Sequence, residues 1–360
     1  MFSRKSFRAV MASCAALAGT AGIAAGVTAA QADTAADLAP AAPAATTAAA
    51  GSKAGYVATI ENGVLWLVSP TGVNTRVTAA PDSDLHLADV SRNGTRFLFT
   101  APINDESTRI AAYDSLKGAW SSFTTSTVGS DIIQARFTAP SAASIWLGRQ
   151  RPDGQAPFTE RRSVTGALEL SVPGASSVLP APDGLTFATD EGGGRIRVRA
   201  TATGALVRTL PAVTGRRCTP LSNWDAARLT AICWNDAAMR MDVYRFAWAG
   251  GAPSALTRAS APFGFDGAWR TSKGIVASDA VQGTGDGIGF APRPGSYTAI
   301  KASFATWGMA HVQTAIGSKV YVMGTPSPDP TLSAMYAYDL GTGKTLLLGS
   351  NASVVVDPLR

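Results

Sequence analysis

A turn glycine that returns at nearly even intervals constrains this chain more than any other feature. Gly72, Gly118, Gly166, Gly204, Gly250, Gly295 and Gly343 sit in SPTG, SLKG, SVTG, TATG, WAGG, RPGS and LGTG, at steps of 46, 48, 38, 46, 45 and 48 residues. Strand-like runs such as IAAYDS and MYAYDL precede these turns, and others such as ALVRTL and KTLLLG follow them. A second tight polar turn lies upstream in VSRNGTRFLF, PAPDGLTFAT and SNWDAARLTA, again between two β-type runs. Four strands in a period of about 45 residues make one blade of a β-propeller, a unit that must stack on its neighbours to bury its faces.

Local periodicity agrees. RIRVR at 195–199 places Ile196 and Val198 on one face and arginines on the other, and Met239, Met241 and Val243 alternate with Arg240 and Asp242. A period of two is a strand with one face buried. No long stretch carries apolar residues at helical spacing, so the expected class is all-β.

Six full units begin near His86, Ile132, Ser176, Arg216, Phe263 and Phe304, whereas residues 55–80 hold three strands and ASVVVDP at 352–358 is a lone final strand. If that strand completes the first blade, the ring closes without an open edge. Six blades plus one shared blade give a single seven-bladed propeller; a misread unit would make it six or eight.

Ahead of the repeats, Arg4, Lys5 and Arg8 precede an uncharged Ala-rich stretch from Ala9 to Ala30, and Ala30-Gln31-Ala32 has the small-x-small form of a cleavage site. Residues 1–32 therefore read as an export signal, of the Sec type or, from SRKSFR at 3–8, of the twin-arginine type with Lys5 in place of the second arginine. Residues 33–54 are Ala, Thr and Pro with almost no large apolar side chain, which makes them a flexible linker to a propeller spanning 55–360. Loss of Arg4, Lys5 and Arg8 takes the formal charge from +6 to +3, an ordinary value that by itself gives no reason to expect nucleic acid or a membrane as a partner. No second apolar run is long enough to span a bilayer, and the expected product is a secreted monomer. Cys14 leaves with the signal, so only Cys218 and Cys233 remain. In an exported chain the pair reads as a disulfide rather than as two free thiols or a metal site. Their index sum centres the intervening hairpin between Asp225 and Ala226 and sets the cysteines opposite each other on the first two strands of one blade.

Pro182-Asp183-Gly184 with Phe187 downstream resembles the repeat of TolB-type, WD-like bacterial propellers, and Ser91–Gly94 and Ser222–Asp225 are degenerate copies. APSAAS and RTSKG stand in its place in two other blades. The resemblance implies the fold and a habit of binding proteins, and it carries over no catalytic residue.

Two motif matches fail on context. Gly341-Thr342-Gly343-Lys344-Thr345 looks like a phosphate loop, but Tyr338 stands where that motif needs glycine and a Leu-rich strand follows. GTGDGIG at 283–289 lacks the parallel βαβ setting of a dinucleotide site. The histidines are His86 and His311. His311, in GMAHVQTA, reads as a structural member of an inner strand, whereas His86 beside Asp82 and Asp84 is a candidate general base or the corner of a divalent-cation site. No cofactor or bound metal is otherwise expected. The end of the ring where outer strands return to inner ones carries the expected binding residues Asp82, Asp84, His86, Asp131, Arg216, Arg217, Asp266 and Trp307. Loops around Asp105, Arg151, Asp153, Trp234 and Asp329 join them. Trp66, Trp120 and Trp146 are expected in blade packing. Two functions fit: a non-catalytic propeller binding a protein, peptide or cell-envelope ligand, or a propeller hydrolase or lyase with carboxylates and His86 at the central channel.

Overall fold

The computed structural model describes residues 53–81, 84–151, 155–191, 194–257, 264–279, 288–294, 297–300, 310–324, 334–350 and 353–359. They belong to one compact unit, Gly51–Arg360. Seven four-stranded antiparallel sheets form the blades of a β-propeller. First strands begin blades 2 to 7 at His86, Asp131, Ala175, Arg217, Phe265 and Ala310. Five of these lie within two residues of the expected starts; the sixth expected start, Phe304, lies outside the described residues, as does Phe263. Blade 1 is composite: Val57–Glu61, Val64–Val68 and Asn74–Ala79 are joined by Val354–Val355, which pairs with the first of them through Val57↔Val355 and Ala58↔Val354. The chain ends thus share one sheet, as the lone C-terminal strand implies.

The core is divided into seams. Among the described residues seven buried apolar clusters occur, and each takes residues from two neighbouring blades. The run Phe97-Leu98-Phe99 in the second strand of blade 2 explains how. Phe97 and Phe99 join Ala58, Leu65 and Leu67 of blade 1, while Leu98 turns to Phe137, Ile145 and Leu147 of blade 3. Successive side chains point to opposite faces, so a strand buried on both faces must be apolar at every position. Trp146, 1% exposed, packs on Phe187 of blade 4 with ring centroids 4.7 Å apart. Trp120 packs on Phe99 and Tyr113 beside blade 1, and Trp66 is half-buried.

The turn glycines serve two ends. At Gly166 φ is +96°, a region that favours glycine, and an added Cβ would come within 2.7 Å of the Phe123 side chain on the preceding blade. Six of the seven marker glycines lie in third-to-fourth strand turns with positive φ; Gly295 lies outside the described residues.

The first strands are kinked alike. Each ladder in blades 2 to 7 slips between first and second strands, at Leu87/Asp89, Ile132/Gln134, Ala175/Val178, Pro220/Ser222, Phe265/Gly267 and Val312/Thr314. Such bulges bend and twist a strand. The polar residue after the bulge then clasps the next blade. Asp89 accepts from Phe137 N at 2.7 Å, Gln134 accepts from Val178 N at 3.0 Å, and Thr314 donates to Asp357 at 2.7 Å.

Cys218 and Cys233 pair directly and form a disulfide, with Cα atoms 4.1 Å apart, inside the seam between blades 4 and 5. The hairpin turn is Ala226–Ala227, between the paired Asp225 and Arg228, one residue beyond the expected centre. Two bulges in the first strand, between Pro220/Ser222 and Asn223/Asp225, account for the shift. A second correction concerns Met239. It is 63% exposed in the turn before the third strand of blade 5, while Asp242 is 4% exposed and faces inward.

Replacing Asp89 by Ala removes a charged acceptor from a buried backbone N–H and is expected to lower stability by about 2 kcal/mol in urea unfolding. The pair Cys218→Ser and Cys233→Ser is expected to cost about 3 kcal/mol in the same measurement, the loop-closure value for a 15-residue separation.

Candidate functional site

The antiparallel order gives the ring two ends. First strands start, and second strands pass into third, at a loop end; first-to-second and third-to-fourth turns occupy the opposite, turn end. First strands of neighbouring blades approach one another around the axis. Asp84, His86, Asp131, Arg216, Arg217 and Asp266 all fall at the loop end, as expected. Asp82 and Trp307 lie outside the described residues, as do Asp153 and Asp329.

The loop end is divided by charge. Blades 1 to 3 contribute exposed acids: Glu61 in the blade 1 hairpin, Asp84 at the start of blade 2 beside exposed His86, Asp105 and Glu106 at its second-to-third turn, and Asp131 at the start of blade 3. His86 is turned outward because Leu85 and Leu87, 4% and 8% exposed, take the inward positions on either side. Asn104 builds the Asp105 turn by accepting from Glu106 N and Ser107 Oγ, both at 2.9 Å.

Blades 3 to 5 carry arginines beside aromatic rings. Arg149, 3% exposed, is a strut: it donates to Ser126 O at 2.8 Å and Ser130 Oγ at 3.3 Å across the blade 2–3 seam and bonds Glu160 at 3.1 Å. Arg151, the next residue but one, lies 5.0 Å above the Phe158 ring and donates to Gln155. Arg195 is exposed. Arg216 is held by Asp242 at 2.8 Å and lies 5.5 Å from the Tyr244 ring, so it braces blade 5. Arg217 remains exposed, and Asp236 accepts from both its guanidinium at 2.5 Å and Trp234 Nε1 at 2.7 Å.

RIRVR explains how the blade 4 arginines are spent. Ile196 and Val198, each 2% exposed, enter the seam, and Arg197 and Arg199 meet Glu191 at 2.7 and 2.6 Å. Burial pushes the Glu191 carboxyl up, but hydrogen bonds from Arg199, Thr189 and Arg197 outweigh it and hold it below the usual carboxylate range.

Asp266 is half-buried at the blade 6 bulge, and His311 is a half-buried member of the blade 7 first strand, opposite Met323. Among the described residues, no three His, Cys, Asp or Glu side chains are grouped to hold a metal ion. The supposed phosphate loop is a hairpin turn: Asp339 accepts from Gly341 N at 2.8 Å and Thr342 N at 3.0 Å, contacts that hold its carboxyl below the usual range.

At the turn end the axis is bridged. Asn223 donates to Pro180 O at 3.0 Å and to Leu359 O at 2.6 Å, and Arg92 of blade 2 donates to Pro182 O of blade 4. The C-terminal residues therefore lie across this mouth. Sequence reading did not find the bridge, since no repeat places Leu359 beside Asn223. Glu61, Phe158, Arg195 and Tyr244 were missed as well, although the alternation of RIRVR already turned Arg195 outward.

No family model matches the chain, and no curated protein matches it. Solved structures do. A prolyl endopeptidase aligns at 13% identity and TM-score 0.54 over 84% of this chain, and this chain spans 50% of that one. The propeller domain of the Trilobed protease of Pyrococcus furiosus aligns at 8% identity and TM-score 0.53, covering 81% of this chain and 92% of that one. TolB from Acinetobacter baumannii aligns at 11% identity and TM-score 0.46, over 84% of this chain and 67% of that one. At these identities the likeness is one of fold. The Pyrococcus domain is described as an open velcro, whereas here the last strand pairs with the first blade.

Because the Glu191 carboxyl is depressed in the folded chain, its contribution to stability is complete above the ordinary glutamate pKa, near 4.5, and is lost as pH falls through the lower folded value. Thermal melts are expected to fall more steeply below pH 4.5 for the wild type than for Glu191→Gln, which lacks that titration.

Proposed function

We propose that this chain is an exported, non-catalytic propeller that holds a protein, peptide or other cell-envelope ligand on its loop end. The observation that carries this reading is the division of that end into an acidic arc on blades 1 to 3 and an arginine–aromatic arc on blades 3 to 5. Arginine, tyrosine and tryptophan are the side chains enriched at the anchoring points of interfaces. A ligand bearing both signs, as a peptide does, meets a complementary charge on either side of the axis. The struts at Arg149, buried, and Arg216, half-buried, fix the backbone from which Arg151 and Arg217 project, which reduces the ordering cost of binding. A disulfide suits an oxidising compartment, and no described helix is long and apolar enough to cross a membrane.

The second reading is a hydrolase or lyase assisted by a divalent cation. It is supported by His86 and Asp84 standing exposed together at the start of blade 2.

One experiment separates them. The exported protein is immobilised and exposed to solubilised envelope fractions, in parallel with Arg151→Glu/Arg195→Glu. Capture of a defined species that falls at least about ten-fold in the variant is expected. Equal capture by the variant would overturn the loop-end assignment. Substrate turnover abolished by His86→Ala, together with a Ca²⁺-dependent rise in melting temperature, would establish the second reading instead.

A further inference from the structure

The turn end has a different character, and it plays no part in the reading above. Several of its acids are held within its own turns, where they keep their charge; Asp183 also stays exposed while accepting from Leu185 N. Asp114 bonds Arg96 and the N–H groups of Leu116 and Lys117; Asp225 bonds Arg228; Asp339 and Asp357 accept from nearby backbone. Several of its bases are paired as well, Arg96 with Asp114, Arg228 with Asp225 and Lys319 with Pro70 O, but four are not. Lys117 at the blade 2 tip, Lys273 and Arg293 on blade 6, and Lys344 on blade 7 are exposed, and their side chains have no hydrogen-bond or ion-pair partner among the described residues. These four present outward positive charge at the tips of blades 2, 6 and 7.

Large apolar side chains stand on the same end. Leu116 is 79% exposed, Leu185 72%, Val73 63% and Leu347 59%. They occupy turns and outer-strand starts of blades 2, 4, 1 and 7. Val73 and Leu347 belong to adjoining tips, since Leu346 lies 3.5 Å from the position of a Cβ on Gly72. Leu116 and Lys117 are consecutive, so one tip offers both an apolar and a cationic group. These residues are dispersed around an annulus whose mouth is bridged by Asn223 and Leu359, which differs from the single groove that a protein segment would fill.

Both described chain ends are here too. Lys53 lies against Gly94 of the blade 2 turn, Gly55 N donates to Val356 O at 2.8 Å, and the C-terminal residues cross the mouth.

We infer that the turn end is a docking surface for an anionic phospholipid bilayer, with Leu116, Leu185, Val73 and Leu347 entering the interface and Lys117, Lys273, Arg293 and Lys344 meeting the headgroups. Exposed apolar tips flanked by bases bind such interfaces through combined burial and charge, each basic group contributing independently. The ring would then lie flat, with its loop end turned away from the membrane.

Co-sedimentation of the exported protein with phosphatidylglycerol/phosphatidylcholine vesicles tests this, with pure phosphatidylcholine vesicles as reference. Binding to the anionic vesicles that weakens with salt is expected. Lys117→Glu/Lys273→Glu/Lys344→Glu is expected to reduce partitioning at least about 100-fold, and Leu116→Ser/Leu185→Ser to reduce it at fixed charge. Arg195→Glu, at the opposite end, should leave it unchanged. All these positions are exposed, and a far-ultraviolet melt confirms that each variant is folded. Absence of vesicle binding, equal binding to the neutral vesicles, or binding indifferent to the turn-end changes would overturn the proposal. So would capture by a soluble polyanion such as polyglutamate without capture by vesicles, which would make the partner a polymer. None of these outcomes bears on envelope capture at the loop end, so the two assignments fail separately.

Discussion

The structure depends on apolar seams between sheets that are each too small to hold a core alone. A blade of four strands has two apolar faces, and each is covered only if a neighbour stands on either side. In an open row the two terminal blades would each leave one face in water; a ring has no terminal blade. Closure is therefore a requirement of the sequence pattern. It is met by Val354–Val355, which supply the innermost strand of a blade otherwise built from the start of the repeat region. Val356 joins the blade 1–2 seam and Val355 the blade 7–1 seam, so the last strand serves both faces of the sheet it completes.

Once the seams have fixed the blades, the inner strands have little freedom. Those of blades 2 to 7 each bulge at an equivalent point, and side chains following the bulge are converted into clasps at Asp89, Gln134 and Thr314. Burial of Asp89 is tolerable because its carboxylate meets a backbone N–H that would otherwise lose its own partner. The two ends of the ring are left to differ. The loop end carries charges of both signs on its exposed side chains. The turn end is constrained by short turns in which aspartates cap backbone N–H groups. Beside these turns Lys117, Lys273 and Lys344 stand outward.

Much of the fold was legible because a repeat is read many times over. The glycine spacing, the tight turns and the unmatched final strand each point to a ring, and the disulfide register follows from the pairing rule for a hairpin. What the sequence concealed depends on local slips or on contacts between distant segments. The hairpin centre moved by one residue because bulges in Arg217–Asp225 add residues on one strand only. Met239 appeared to extend a strand that begins at Arg240. The site was legible in placement but less so in role. Arg216 and Arg217 are neighbours in sequence, yet Asp242 draws the first into a brace while the second remains exposed beside Asp236. Nothing in spacing alone distinguishes them.

Ring closure is tested most directly by amide hydrogen exchange of the C-terminal residues, read by mass spectrometry on a peptide covering 353–359. Val356 N donates to Tyr56 O at 2.8 Å, and a strand that completes the ring can open only when the first blade does. These amides are therefore expected to exchange as slowly as those of Phe97–Phe99 in the blade 2 seam. Exchange within seconds under conditions where Phe97–Phe99 stay protected would show that the last strand is not part of the ring, and would contradict the account.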